Sequence, residues 1–351
     1  YRAPLEMYVV WRPGHAEAAD LAAHLFATLH RAPGNPFGYE DLDIPVYFRS
    51  GAPRGSRVPA PIELDRAETT AIVALIDETI LDADAAEFRD YLRGLRAAVD
   101  GHGSRASLVP IALEPTAMRV VGLKDLNFVR AFESTGARRL AHVTNGVVHH
   151  LHRLLRGAAG GAAAAPISVF ISHAKADGAD KGQDVLSRLE RHDGLKAFFD
   201  RDDIAPAARF ADQIDSALGS PHTVVLVVLT DLFASRTWCE REVVTARQQR
   251  RPIVIIDARE ATRGNLPFLG YAPALAWDPD APSFWEELQR TVVLEALRYA
   301  YVPRYLASVE ALWTDTGGAS VHVARKPDAV DVIAASHDLV HPDPPLQPKL
   351  A

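Results

Sequence analysis

The strongest constraint on this chain is an alternation that occurs twice, on either side of one featureless stretch. Apolar runs of four to six residues alternate with segments of helical periodicity, and residues 157–165 (Gly-Ala-Ala-Gly-Gly-Ala-Ala-Ala-Ala) separate the two series without a charge or a large side chain. Short apolar runs joined by helical segments read as buried strands with crossover helices, the pattern of parallel sheets covered on both faces. The Ala/Gly stretch reads as a linker.

In the first half, strands are predicted at 7–11, 45–48, 71–76 and 108–113, and helices over 16–29, 85–99 and 137–155. In the second, strands are predicted at 167–172, 196–199, 224–229, 253–256 and 274–277, with helices over 183–191, 209–218, 238–249 and 283–299. The pattern weakens after Tyr299, where a helix over 302–313, a strand at 321–323 and a helix over 328–335 are expected. The prolines at 342, 344, 345 and 348 read as a linker toward a further domain. The expected division is 1–156, linker 157–165, 166–301, and a helical, Pro-rich tail 302–351.

The two halves read as diverged copies. Laying 70–89 on 223–242 needs no gap at an offset of 153; Ala85 then falls opposite Trp238, and Arg89 opposite Glu242.

Composition narrows the class. Of 351 residues, 48% are hydrophobic and 24% charged, a balance that supports two cores. No apolar run approaches the roughly 20 residues of a membrane span, and Tyr1 opens no signal peptide. Cys239 is the only cysteine, which excludes an internal disulfide and a thiolate-rich metal site and points to a reducing cytoplasm. A net charge of −7 argues against a nucleic-acid binder. His142, His149, His150 and His152 cover too wide a helical arc for a metal, so no metal and no cofactor are expected.

Three segments carry the chemistry. Phe170-Ile171-Ser172-His173 ends a strand in polar groups, at the edge where open α/β sheets bind ligands. Phe198-Phe199-Asp200, followed by Arg201, Asp202, Asp203 and Ile204, ends another in carboxylates. Ser235 to Glu242 follows a third strand and contains Trp238-Cys239-Glu240-Arg241-Glu242. Trp238 and Glu242 are i and i+4, so both project one turn apart from one helix face, while Cys239, Val243 and Ala246 form an adjacent apolar line. Thr237-x-x-Glu240 fits a capping box, which assigns Glu240 to the helix start. Ser172 and His173 have no acid placed to complete a hydrolase triad, and no phosphate-cradling glycine loop is present.

In this order, the three segments resemble the bacterial, NAD-cleaving branch of the TIR (Toll/interleukin-1 receptor) domains, over about 135 residues from Ile167 to about Tyr301. The resemblance implies two flavodoxin-like α/β domains with parallel sheets flanked by helices, the first a degenerate TIR-like copy without the tryptophan and the glutamate. It implies that Glu242 is catalytic, that Ser172, His173, Asp200, Trp238 and Phe210 contact substrate, and that NAD is cleaved to nicotinamide and a linear or cyclic ADP-ribose. The spacing of Phe210, Ile214, Ala217 and Leu218 also fits a buried helical face. Pro206-Ala207-Ala208 departs from the family's usual Pro-Gly in the loop 201–209. The implied biology is a cytoplasmic antiphage effector that self-associates through TIR domains, even into filaments, with Asp203 and Arg209 at the contact and no membrane or nucleic-acid partner. Two other readings stay open: a non-catalytic TIR adaptor, and a nucleoside deoxyribosyltransferase-like enzyme that ignores NAD.

Overall fold

The computed structural model describes residues 2–30, 42–51, 53, 56, 58–160, 166–191, 194–199, 223–261, 269 and 271–310. The chain divides into two compact units, Tyr1–Ala164 and Ala165–Ala351.

In the first unit the elements run β1 (Leu5–Trp11), α1 (Ala16–Leu29), β2 (Val46–Arg49), β3 (Thr69–Ile76), α2 (Ala86–His102), β4 (Ala106–Ala112), β5 (Val129–Arg130) and α3 (Gly136–Ala158). The sheet is parallel throughout, in the order β2-β1-β3-β4-β5. Every residue of the central strands β1 and β3 is buried, which is why these segments read as unbroken apolar runs rather than alternating ones. Helix α1 buries Ala18, Leu21, Ala22, Leu25 and Leu29, a stripe at helical spacing. Helix α2 ends at Gly103, whose φ of +57° lies in the region that favours glycine.

The second unit runs β6 (Ile167–His173), α4 (Ala179–Leu189), β7 (Leu195–Phe199), β8 (Thr223–Leu229), α5 (Thr237–Gln248), β9 (Ile253–Asp257), β10 (Ala274–Ala276) and α6 (Phe284–Glu310) among the described residues. Its five parallel strands take the order β10-β9-β8-β6-β7. Numbered within its own unit, each sheet has the order 2-1-3-4-5 of flavodoxin-like folds, with its switch point between first and third strands. One core layer packs Phe170, Val225, Val227, Leu229, Phe233, Cys239, Val243 and Ala246. Burying a side chain such as Phe170 contributes about 1.5–3 kcal/mol.

Differences from expectation lie at element ends. Helix α3 runs two residues into the Ala/Gly stretch, because alanine and the helix already formed favour continuation. Helix α4 starts at Ala179, four residues before the predicted start. The two helices expected over 283–299 and 302–313 meet in α6, which continues through Pro303 to Glu310. Strand β5, of two residues, was not expected; it is too short to leave a periodic signal. The helix predicted over 209–218 and the elements predicted after 313 lie outside the described residues.

Candidate functional site

The site is built where β6 and β8 end. These strands pair in parallel with Ser172 beside Val227 and His173 beside Val228, so the loops leaving them open at the switch point of the sheet. The loop after β6 turns back tightly. Gly178 N–H donates to Ala174 O at 2.8 Å, and a Cβ on Gly178 would come within 3.0 Å of that oxygen. A side chain at 178 would crowd that carbonyl, so glycine suits the tight turn after the segment carrying Lys175 and Ala176. Asp177 then ties the two loops together: its carboxylate accepts Thr230 Oγ1–H at 2.7 Å and Leu232 N–H at 2.9 Å.

Between them lies a cavity of about 510 Å³, lined by segment 171–176 without Ser172 and, from the start of α5, by Arg236, Trp238, Cys239 and Glu242. Glu242 is 5% exposed, yet it reaches the cavity. Its Oε2 accepts the Ser172 hydroxyl at 2.5 Å. Ser172 is itself buried and stands beside Glu242 rather than on the lining. Trp238 is 48% exposed at the mouth, with the Arg241 guanidinium 5.5 Å from its ring centre. Cys239, Val243 and Ala246 pack in the core, as their helical line requires.

Electrostatics follow from burial. Desolvation, and then the Lys175 ammonium, lower the pKa of His173, which favours the neutral ring. Burial, helped by the Glu242 charge, pushes the Cys239 thiol up to about 12. The lining therefore offers one carboxylate, two cationic side chains (Lys175 and Arg236), a neutral imidazole and an aromatic face. That set suits a ligand bearing both anionic groups and rings. Among the described residues, no group of three or more His, Cys, Asp or Glu is placed to hold a metal ion. In the first unit His150 pairs with Ser107 at 2.8 Å, and burial takes its pKa down to about 4.

Of the expected site residues, the structure brings together Ser172, His173, Trp238 and Glu242. Asp200, Phe210 and the loop 201–209 lie outside the described residues. Lys175 and Arg236 were missed. Lys175 stands two residues beyond the strand end at His173, and Arg236 lies inside the segment Ser235 to Glu242, two residues before Trp238; those positions were the available signal.

The capping box is corrected. Helix α5 begins at Thr237, so Arg236 occupies the cap position, and no side chain caps the helix. Starting one residue earlier moves Thr237 into the first turn, where its hydroxyl is not at the cap. Thr237→Ala is therefore expected to shift stability by less than about 0.5 kcal/mol, against about 0.5–2 kcal/mol for a true cap. Urea unfolding of the two proteins checks this.

In the first unit the equivalent positions differ. Val10 pairs with Ala74 as Ser172 pairs with Val227. Arg89, opposite Glu242 in the gapless alignment, donates to the carbonyls of Ile80 and Asp82 at 2.7 and 2.6 Å. Arg12 bridges the two loops at the switch point, reaching Thr79 O at 2.7 Å and Asp84 Oδ2 at 2.8 Å.

Comparison with known proteins places a family in the second unit. Residues 169–288 match the family model described as TIR domain, so the second unit carries a TIR domain; the match spans about a third of the chain. Among solved structures, the TIR domain of the Toll-related receptor TRR-2 from Hydra magnipapillata is 27% identical over 35% of this chain and 96% of that chain, with a TM-score of 0.30. Tagatose-6-phosphate ketose/aldose isomerase from Escherichia coli is 11% identical over 91% of this chain and 86% of that chain, with a TM-score of 0.23. No curated protein matches. Among the described residues, no helix is long and apolar enough to cross a membrane.

Proposed function

We propose that the second unit cleaves the bond between nicotinamide and ribose in NAD, with Glu242 as the catalytic carboxylate. The observation that carries this reading is a buried glutamate, fixed by a hydroxyl, that still lines a cavity at the switch point of a TIR domain. The chemistry needs little else. When the N-glycosidic bond breaks, its electron pair goes to the pyridinium nitrogen, and nicotinamide leaves neutral without a general acid. Positive charge develops at ribose C1′ and the ring oxygen, where a fixed carboxylate stabilises it. Water adds to C1′ and loses a proton, giving ADP-ribose; attack by the adenine gives the cyclic product instead. Trp238 offers a ring face, and His173, with Asp200 and Phe210, is assigned to substrate contact. NAD is the substrate, and no cofactor or metal enters.

The reading extends to biology. The protein is proposed as a cytoplasmic antiphage effector in bacteria, activated by self-association of TIR domains through the loop 201–209. Incubating the purified full chain with NAD and following nicotinamide tests the chemistry. Intact NAD from protein that assembles by light scattering would favour the adaptor, and turnover of free nucleosides with NAD untouched would favour the transferase.

The first unit is proposed to be a silent, degenerate copy. Residues 1–160, which include all of α3, are expected to release no nicotinamide, because Val10 and Arg89 replace the hydroxyl and the carboxylate. A cationic guanidinium there would repel the developing positive charge. Measurable NAD cleavage by this fragment would overturn the idea.

A further inference from the structure

Ser172 was expected to touch substrate, but its surroundings point elsewhere. It is the penultimate residue of β6, 1% exposed, and held on one side by β8. The hydroxyl has one proton to give, and that proton goes to Glu242 Oε2 at 2.5 Å, across 70 positions of sequence. Glu242 lines the cavity and Ser172 does not. We propose that Ser172 is a positioning residue, whose hydroxyl fixes Oε2 of Glu242 and keeps that carboxylate ionised, so that it acts through Glu242 and not on the substrate.

Burial works against a charged carboxylate, and hydrogen bonding to the charged form works for it. Other titratable groups stand in the same part of the fold. From β6 and its loop come His173, whose neutral form burial favours, the Lys175 ammonium, and Asp177, already occupied by Thr230 and Leu232. From the start of α5 come Arg236 and Cys239, whose thiol stays protonated at neutral pH. Ser172 also has geometry in its favour. A hydroxyl on a strand held in register by β8 is fixed more rigidly than a charge on a loop or a long flexible stem.

The kinetic part of the test rests on the reading of Glu242 as catalytic; the titration part does not. Full-length protein carrying carboxyl-labelled glutamate is titrated by carbon NMR, with the Glu242 signal identified by its loss in Glu242→Gln. In Ser172→Ala the midpoint of that signal is expected to move to higher pH, and Ser172→Thr, which keeps the hydroxyl, is expected to move it back toward wild type. With NAD, Ser172→Ala is expected to lose about 10–100-fold in kcat, with KM changed by less than about threefold, and its acid limb is expected to shift upward. An unchanged Glu242 midpoint in Ser172→Ala overturns the proposal, as does a raised KM with kcat intact. A wild-type protein that leaves NAD untouched sinks the enzymatic reading alone, and the titration then decides the role of Ser172.

Discussion

Glu242→Gln is expected to slow nicotinamide release by about a hundred- to a thousandfold while the protein stays folded. The size follows from what the substitution removes. Fixed charge aimed at a developing cation in a water-poor site supplies several kcal/mol, and losing one such group costs about 10²–10³ in rate. The substitution keeps shape. The glutamine amide oxygen can still accept the Ser172 hydroxyl, so that donor keeps its partner. The unfolding midpoint should hold, or rise, because a charge leaves a site that is 5% exposed. Nicotinamide release and thermal unfolding, measured on the same preparations, separate loss of chemistry from loss of fold. Near-normal turnover in a folded Glu242→Gln protein would sink the site assignment.

The second large effect concerns Cys239. The native thiol, with its pKa pushed up to about 12 from the ordinary 9.0, should be almost inert to alkylating and disulfide reagents. The thiolate is the nucleophile. At pH 8 its population falls about a thousandfold for three pH units, before access is counted. The sign of the linkage follows. Folding favours the neutral thiol, so this contribution is complete below about pH 9 and is lost as pH rises toward 12. Since Cys239 is the only cysteine, a colorimetric thiol reagent reports it without ambiguity. Native protein should react at least about a thousandfold more slowly than protein in denaturant. Comparable rates would show an exposed or activated thiol, and the packing of α5 on the sheet would need revision.

The elements were largely legible because the central strands are buried on both faces. The stretches 71–76 and 224–229 could be recognised without alternation, since both faces of β3 and β8 are covered. The apolar line Cys239, Val243 and Ala246 was legible for the same reason, as a periodicity that only a packed helix requires. Helix ends were less legible. Thr237 and Glu240 satisfy the spacing of a capping box, but backbone continuation from Arg236 decided where the helix began. The two-residue β5 left nothing to read.

For the site, spacing placed Trp238 and Glu242 on one helix face, and both do line one cavity. Spacing could not say that Glu242 would be 5% exposed and Trp238 48%. Burial depends on what lies opposite, and Trp238 stands in the first turn of α5, at the cavity's mouth. Nor could spacing connect Lys175 with Arg236 across the cavity. The sequence by itself determined where the buried central strands and the helices packed on them lie, because periodicity and apolar runs are local properties of a chain that must hide its apolar side chains. It also determined that a carboxylate would sit at the start of one helix. Only the tertiary structure decided which hydroxyl meets that carboxylate. Ser172 reaches Glu242 because the parallel register of β6 and β8 sets Ser172 beside Val227, and the helix after β8 returns over that pair. Register is settled where strands meet, and a segment buried on both faces, read alone, does not show which residue it will face.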